Sequence, residues 1–161
     1  MHPTRNGPRA IRVLAAVFIW AAAIATLGSP VAVAVDTMTS KDAPDLTSVR
    51  AKIKAKDYKA ALVELRVVAD THQHADVYSL MGFSLRKTGD FPTALTYYKK
   101  ALDFDVNHRG AREYLGELYV ETGDLAKARE QLAVLEKLCP RGCEEREDLE
   151  KALASAPLKT N

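Results

Sequence analysis

Two cysteines four residues apart, in Cys139-Pro140-Arg141-Gly142-Cys143, are the only thiols of the chain. Reduced, such a C-x3-C pair can hold Cu(I) between two thiolates or shuttle redox equivalents. A copper site normally recruits a third ligand, commonly His or Met, and none lies nearby in sequence. A thioredoxin-like oxidoreductase would use C-x-x-C in a βαβ setting, which this chain lacks. Oxidised, the pair becomes a short covalent staple; free thiols and intermolecular pairing are the remaining alternatives. The compartment decides among them.

Other residues with chemistry are sparser. His72 and His74 flank Gln73, and a histidine pair at i, i+2 without a carboxylate or cysteine partner makes a weak metal site. A solvated loop is the simpler reading, and His108 is read in the same way. There is no G-x-S-x-G, no H-E-x-x-H and no glycine-rich phosphate loop. No metal ligand set, no cofactor and no enzymatic activity are therefore expected. Glu113, Glu117 and Glu121 fall at i, i+4, i+8 and share one helix face as an acidic stripe.

The N-terminal prefix sets the compartment. Arg5, Arg9 and Arg12 precede an uncharged run from Val13 to Leu27, which Gly28, Ser29 and Pro30 break. Ala32-Val33-Ala34 is a small-x-small cleavage pattern, so residues 1–34 read as a signal peptide and the chain as periplasmic or secreted. The alternative is an uncleaved inner-membrane anchor across residues 13–35, the only way in which a membrane enters this reading. Three of the 23 basic residues and none of the 21 acidic ones lie in the prefix, leaving 20 against 21, a net charge of −1. The basic balance belongs to the prefix, and no nucleic-acid partner is expected. In an exported chain, Cys139 and Cys143 are expected to be oxidised to each other.

The elements that position these residues follow from a repeat. The spacing from Gly82 to Gly116 is also the spacing from Gly89 to Gly123, from Asp90 to Asp124 and from Ala94 to Ala128. Each Asp is placed to N-cap a helix, and Asp57 precedes the first of them by one position less than this period. Pro92 suits a first helical turn, and Gly89 and Gly123 suit a helix end. Lys56 takes the equivalent place in the first repeat, which is degenerate. After each Asp, Tyr58, Ala61, Leu65 and Val68 correspond to Phe91, Ala94, Tyr98 and Ala101, then to Leu125, Ala128, Leu132 and Leu135, at helical spacing. Asp45 or Thr47 can cap a helix running through Ala55, with Leu46, Val49 and Ile53 on one side.

A period of about 34 residues with Met81-Gly82 and Leu115-Gly116 in the first helix, and Ala94 with Tyr98 and Ala128 with Leu132 in the second, resembles the tetratricopeptide repeat. The resemblance covers about residues 45–140, strongly in the second and third repeats and weakly in the first. It implies an all-α solenoid of three helix-turn-helix repeats (about 42–74, 75–108 and 109–140) and a capping helix over 144–154. A leader over 35–44 and a tail over 155–161 would flank this 45–154 domain. The run Leu138-Cys139-Pro140-x-Gly142-Cys143-Glu144-Glu145 looks like the C-terminal signature of small exported tetratricopeptide proteins of Gram-negative bacteria. It implies a periplasmic setting and no defined activity.

What the resemblance implies for function is binding of a protein or peptide in a groove lined by the first helix of each repeat. Phe83 is the expected apolar anchor, with Arg50, Lys54, Arg86 and Lys87 for acidic groups and Glu113, Glu117 and Glu121 for basic ones. The groove would then run from basic to acidic, although an ordinary solvated charged surface accounts for the same pattern. The carboxylate clamp for acidic C-terminal tails is set aside, because Ser79 with Phe83 and Glu113 with Glu117 stand where it needs Lys and Asn. An envelope adaptor or scaffold is the leading function. Metal or redox work at the cysteine pair, and self-association into homo-oligomers, are the alternatives.

Overall fold

The chain divides into two units, Met1–Asp36 and Thr37–Asn161. The structure, a computed structural model, describes residues 43–156 of the second. The expected signal peptide, most of the leader and the last five tail residues lie outside the described residues.

Seven helices and no strands make up the described residues: α1 (Thr47–Lys54), α2 (Tyr58–Thr71), α3 (Ala75–Lys87), α4 (Phe91–Phe104), α5 (Arg109–Glu121), α6 (Leu125–Leu138) and α7 (Glu144–Ala154). Consecutive helices pair as α1–α2, α3–α4 and α5–α6, and α7 packs on α5 and α6. The architecture is an all-α solenoid of three hairpins and a terminal helix.

Local chemistry sets the boundaries. Asp57, Asp90 and Asp124 each accept a hydrogen bond from the backbone N–H three residues on, at 3.1, 3.2 and 3.2 Å. Each satisfies an orphan donor of the first turn of α2, α4 or α6. The residue before each Asp has positive φ: 60° at Lys56, 88° at Gly89 and 81° at Gly123. Glycine adopts that conformation freely and lysine does not, so the first hairpin turns at a conformational cost the others avoid. α1 starts differently from expectation. Leu46 is its N-cap with no side-chain bond, and Asp45 instead accepts from the Thr47 N–H at 2.9 Å, a local turn just outside the helix.

Small residues let the helices close on one another. A Cβ on Gly82 would lie 2.6 Å from the ring of Tyr98, which is fully buried. That contact joins the two helices of one hairpin. Gly116 has a different partner: its missing Cβ makes room for Leu149 of α7, whose Cδ2 would be 2.5 Å away. Leu132, the counterpart of Tyr98, is only half-buried and carries no ring to fill that space. The terminal helix fills it, and Leu149 is the one residue of α7 that is buried completely.

Cys139 and Cys143 are joined by a disulfide with a Cα–Cα distance of 6.0 Å, linking the end of α6 to the start of α7. Between them Gly142 takes φ of 95° while its N–H donates to the Cys139 carbonyl at 2.9 Å. This tight turn sends the chain back so that Leu149 comes to lie over Gly116.

Candidate functional site

The first helices of the hairpins share one face with α7, and a cavity of about 350 Å³ opens there. α1 contributes Arg50, α3 contributes Asp76 and Ser79, and α5 contributes Glu113 and Tyr114. The start of α7 closes the cavity with Glu144, Glu145 and Asp148. Among the described residues, none from α2, α4 or α6 lines it.

Its upper wall is a polar hub around Asp76. His108 Nδ1 accepts from the Ala111 N–H at 3.0 Å, N-capping α5, so the ring proton sits on Nε2 and donates to Asp76 Oδ1 at 3.1 Å. His74 does the same capping for α3, accepting from the Asp76 N–H at 3.2 Å. Arg50 approaches the same oxygen, Asp76 Oδ1, at 3.6 Å. Asp76 is held below the ordinary carboxylate range, first by the His108 bond and then by the Arg50 and His74 charges, against its own burial. Both histidines are therefore structural caps, not solvated loop residues. His74 and His108 are separated by the repeat period, and that was a usable signal: a side chain that recurs with the period at the residue before a helix is placed to cap it.

Glu113 forms the floor. It is only 8% exposed, and its carboxyl is pushed up to about 8, first by burial and then by the charges of Glu117, Asp148 and Glu145. In the unfolded chain the same carboxyl ionises near 4.5. From about pH 4.5 to 8 the unfolded state thus sheds a proton that the folded state keeps, and stability falls as pH rises through that window. Glu113→Gln is expected to abolish this fall and to exceed the parent by about 4 kcal/mol at pH 8, measured by urea unfolding at pH 5 and pH 8. A parent equally stable at both pH values would contradict it. Asp76 acts with the opposite sign, losing its contribution only as pH drops below about 4.

The residues expected to bind a partner do not form one continuous strip. Arg50 and Glu113 belong to the cavity, while Lys54 is exposed at the end of α1. Phe83, Arg86, Lys87, Glu117 and Glu121 form a second cluster between α3 and α5. There the Phe83 ring packs 4.8 Å from Tyr114 and 6.2 Å from Tyr58, centroid to centroid. Lys87 Nζ lies 5.3 Å from the Phe83 centroid. Arg86 is buried, its side chain 1% exposed, and it bridges Glu121 at 2.5 Å and Glu117 through its second terminal nitrogen. This corrects the picture of a groove running from free cations to free anions. The Arg86 charge is engaged by Glu117 and Glu121, and Glu113 is buried and protonated at neutral pH.

Among the described residues, no group of three His, Cys, Asp or Glu is arranged to hold a metal ion. The cysteine pair is a disulfide, so its sulfurs are not thiolate ligands. Also among the described residues, no helix is long and apolar enough to cross a membrane.

A tetratricopeptide repeat family model matches residues 85–138, from the end of α3 to the end of α6. No curated protein matches the chain. Solved structures with the same fold include the Yersinia enterocolitica type III secretion translocator chaperone SycD, at 16% identity and a TM-score of 0.58 over 67% of this chain and 81% of that one. SycD in complex with a peptide of the translocator YopD is similar at 17% identity and a TM-score of 0.60, covering 71% and 91%. PcrH in complex with the chaperone binding region of PopB gives 17%, a TM-score of 0.57, and coverage of 67% and 88%. The internal repeat, the aspartate caps and the three stacked hairpins agree with the family-model match, which places a tetratricopeptide repeat over residues 85–138.

Proposed function

We propose that this chain is a non-catalytic binding module of the cell envelope that receives an extended segment of a partner protein on the face formed by α1, α3, α5 and α7. The observation that carries the reading is the cavity on that face, built from four separate helices and holding buried polar groups (Ser79 and Glu113) that a purely structural surface would not need. Two solved structures of the same fold hold a segment of another protein, which supports a peptide-binding role. Export rests on the N-terminal signal pattern and on the disulfide, a bond that persists in oxidising compartments.

The reading is tested on the chain recovered from a periplasmic extract, whose mass is expected to begin at Val35. Peptides selected on it from a random library are expected to slow amide exchange in α1, α3, α5 and α7. Protection confined to α2, α4 and α6, or recovery of the chain with residue 1 intact and only from membranes, would overturn the respective half of the proposal.

A further inference from the structure

We propose that the inner cavity is a subsite for one basic side chain, lysine or arginine, of the bound segment; this rests on the peptide-binding reading above. Five carboxyl groups line it, from Asp76, Glu113, Glu144, Glu145 and Asp148, against the single guanidinium of Arg50 and the His108 ring. Three of the five already have partners. Asp76 is held by His108 and Arg50, Glu145 by Arg109 at 3.5 Å, and Asp148 by Lys151 at 2.8 Å. Among the described residues, Glu113 and Glu144 are left with no bonded cation.

An acidic rim alone would be an ordinary surface, but the floor points to a ligand independently. Ser79 lines the same cavity, and its buried hydroxyl has no hydrogen-bond partner. Buried polar groups are nearly always satisfied, and one that is not calls for something that completes it. An anionic side chain would meet the five carboxyls, and an apolar one would seal Ser79 and Glu113 away from water unpaired. A cationic head supplies donors to both, while Leu80 and the Tyr114 ring offer apolar wall to its alkyl stem. The volume, about 350 Å³, is at the small end of ligand pockets and suits one side chain.

Glu113 also gives the site a proton signature. It faces Glu117 on its own helix, Arg86 from α3, and Glu145 and Asp148 from α7, with Arg50 of α1 across the cavity, and the carboxylates outweigh these cations. An entering cation reverses that balance, so Glu113 ionises and binding releases a proton near neutral pH. Binding then strengthens as pH rises from 6 to 8.

The probe is N-acetyl-arginine amide, titrated into the 15N-labelled chain with N-acetyl-norleucine amide and N-acetyl-glutamate amide as controls. The arginine compound is expected to shift the amides of Ser79, Glu113, Tyr114 and Asp148 in a saturable way, about tenfold more tightly at pH 8 than at pH 6. Glu113→Gln should weaken it about tenfold at pH 8 and remove the pH dependence. Glu144→Gln, at the exposed rim and harmless to the core, should weaken it by a smaller factor. Equal shifts from the norleucine compound, saturation elsewhere, or a folded Glu113→Gln chain that binds as well as the parent would each overturn the subsite. If the arginine probe leaves the cavity untouched while selected peptides still protect α1, α3, α5 and α7, the subsite fails and the scaffold reading stands. If the probe saturates the cavity while peptides protect only α2, α4 and α6, the scaffold reading fails instead.

Discussion

Arg86→Ala is expected to destabilise the chain by about 3–5 kcal/mol, the usual cost of removing one partner from a buried ion pair. The side chain is 1% exposed and ties α3 to α5 through two carboxylates, with its guanidinium 5.5 Å from the Phe83 centroid and 6.0 Å from that of Tyr114. Its loss leaves Glu117 half-buried without a counterion, and withdraws a charge that favours ionisation of Glu113. Arg86→Met, which keeps most of the volume and none of the charge, should cost less than alanine, because part of the arginine's contribution is packing. Denaturant unfolding followed by helical circular dichroism decides the order. A methionine variant as damaged as the alanine one would locate the whole effect in charge.

The second large effect is expected from Leu149→Ala, at about 2–5 kcal/mol. Leu149 is fully buried over the backbone of Gly116, and no other α7 side chain is buried to that degree. The cavity it leaves is bounded by helix backbone, which cannot collapse cheaply. A solenoid relies on nearest-neighbour contacts, so loss of the terminal helix exposes the apolar face of the last hairpin. Amide exchange should show α7 unprotected in this variant while α3 and α4 keep their protection. A loss under about 1 kcal/mol would mean that α7 is held elsewhere, with the disulfide as the first suspect.

The hairpins were legible because their punctuation is local. An aspartate three residues from the amide it caps, and a glycine where φ must be positive, are written within one turn of chain, and the period repeats them. The site was less legible. The spacing of Glu113, Glu117 and Glu121 places them on one face, and so they are. Whether that face meets water or Arg86 depends on how α5 leans on α3, across 31 and 35 residues of sequence. Periodicity says which side chains are neighbours on a helix and is silent on what stands opposite. Asp76 was missed for the same reason, since its partners come from α1, from the residue before α3 and from the residue before α5. By analogy with Gly82, the repeat would give Gly116 a partner inside its own hairpin, while α7 supplies Leu149 instead.

The positive φ of Lys56 gives the molecule a direction. At one end α1 is only eight residues long, buries Val49 alone completely, has no side-chain cap and is followed by a strained lysine. At the other end α7 is locked through Leu149 and held to α6 by a covalent bond. Fluctuations that separate helices cost least where contacts are few and turns are strained. Opening is therefore expected to begin at the N-terminal hairpin, which carries the Arg50 wall of the cavity, before the acidic wall on α7 gives way. A segment threading into the groove would find a jaw with one moving side.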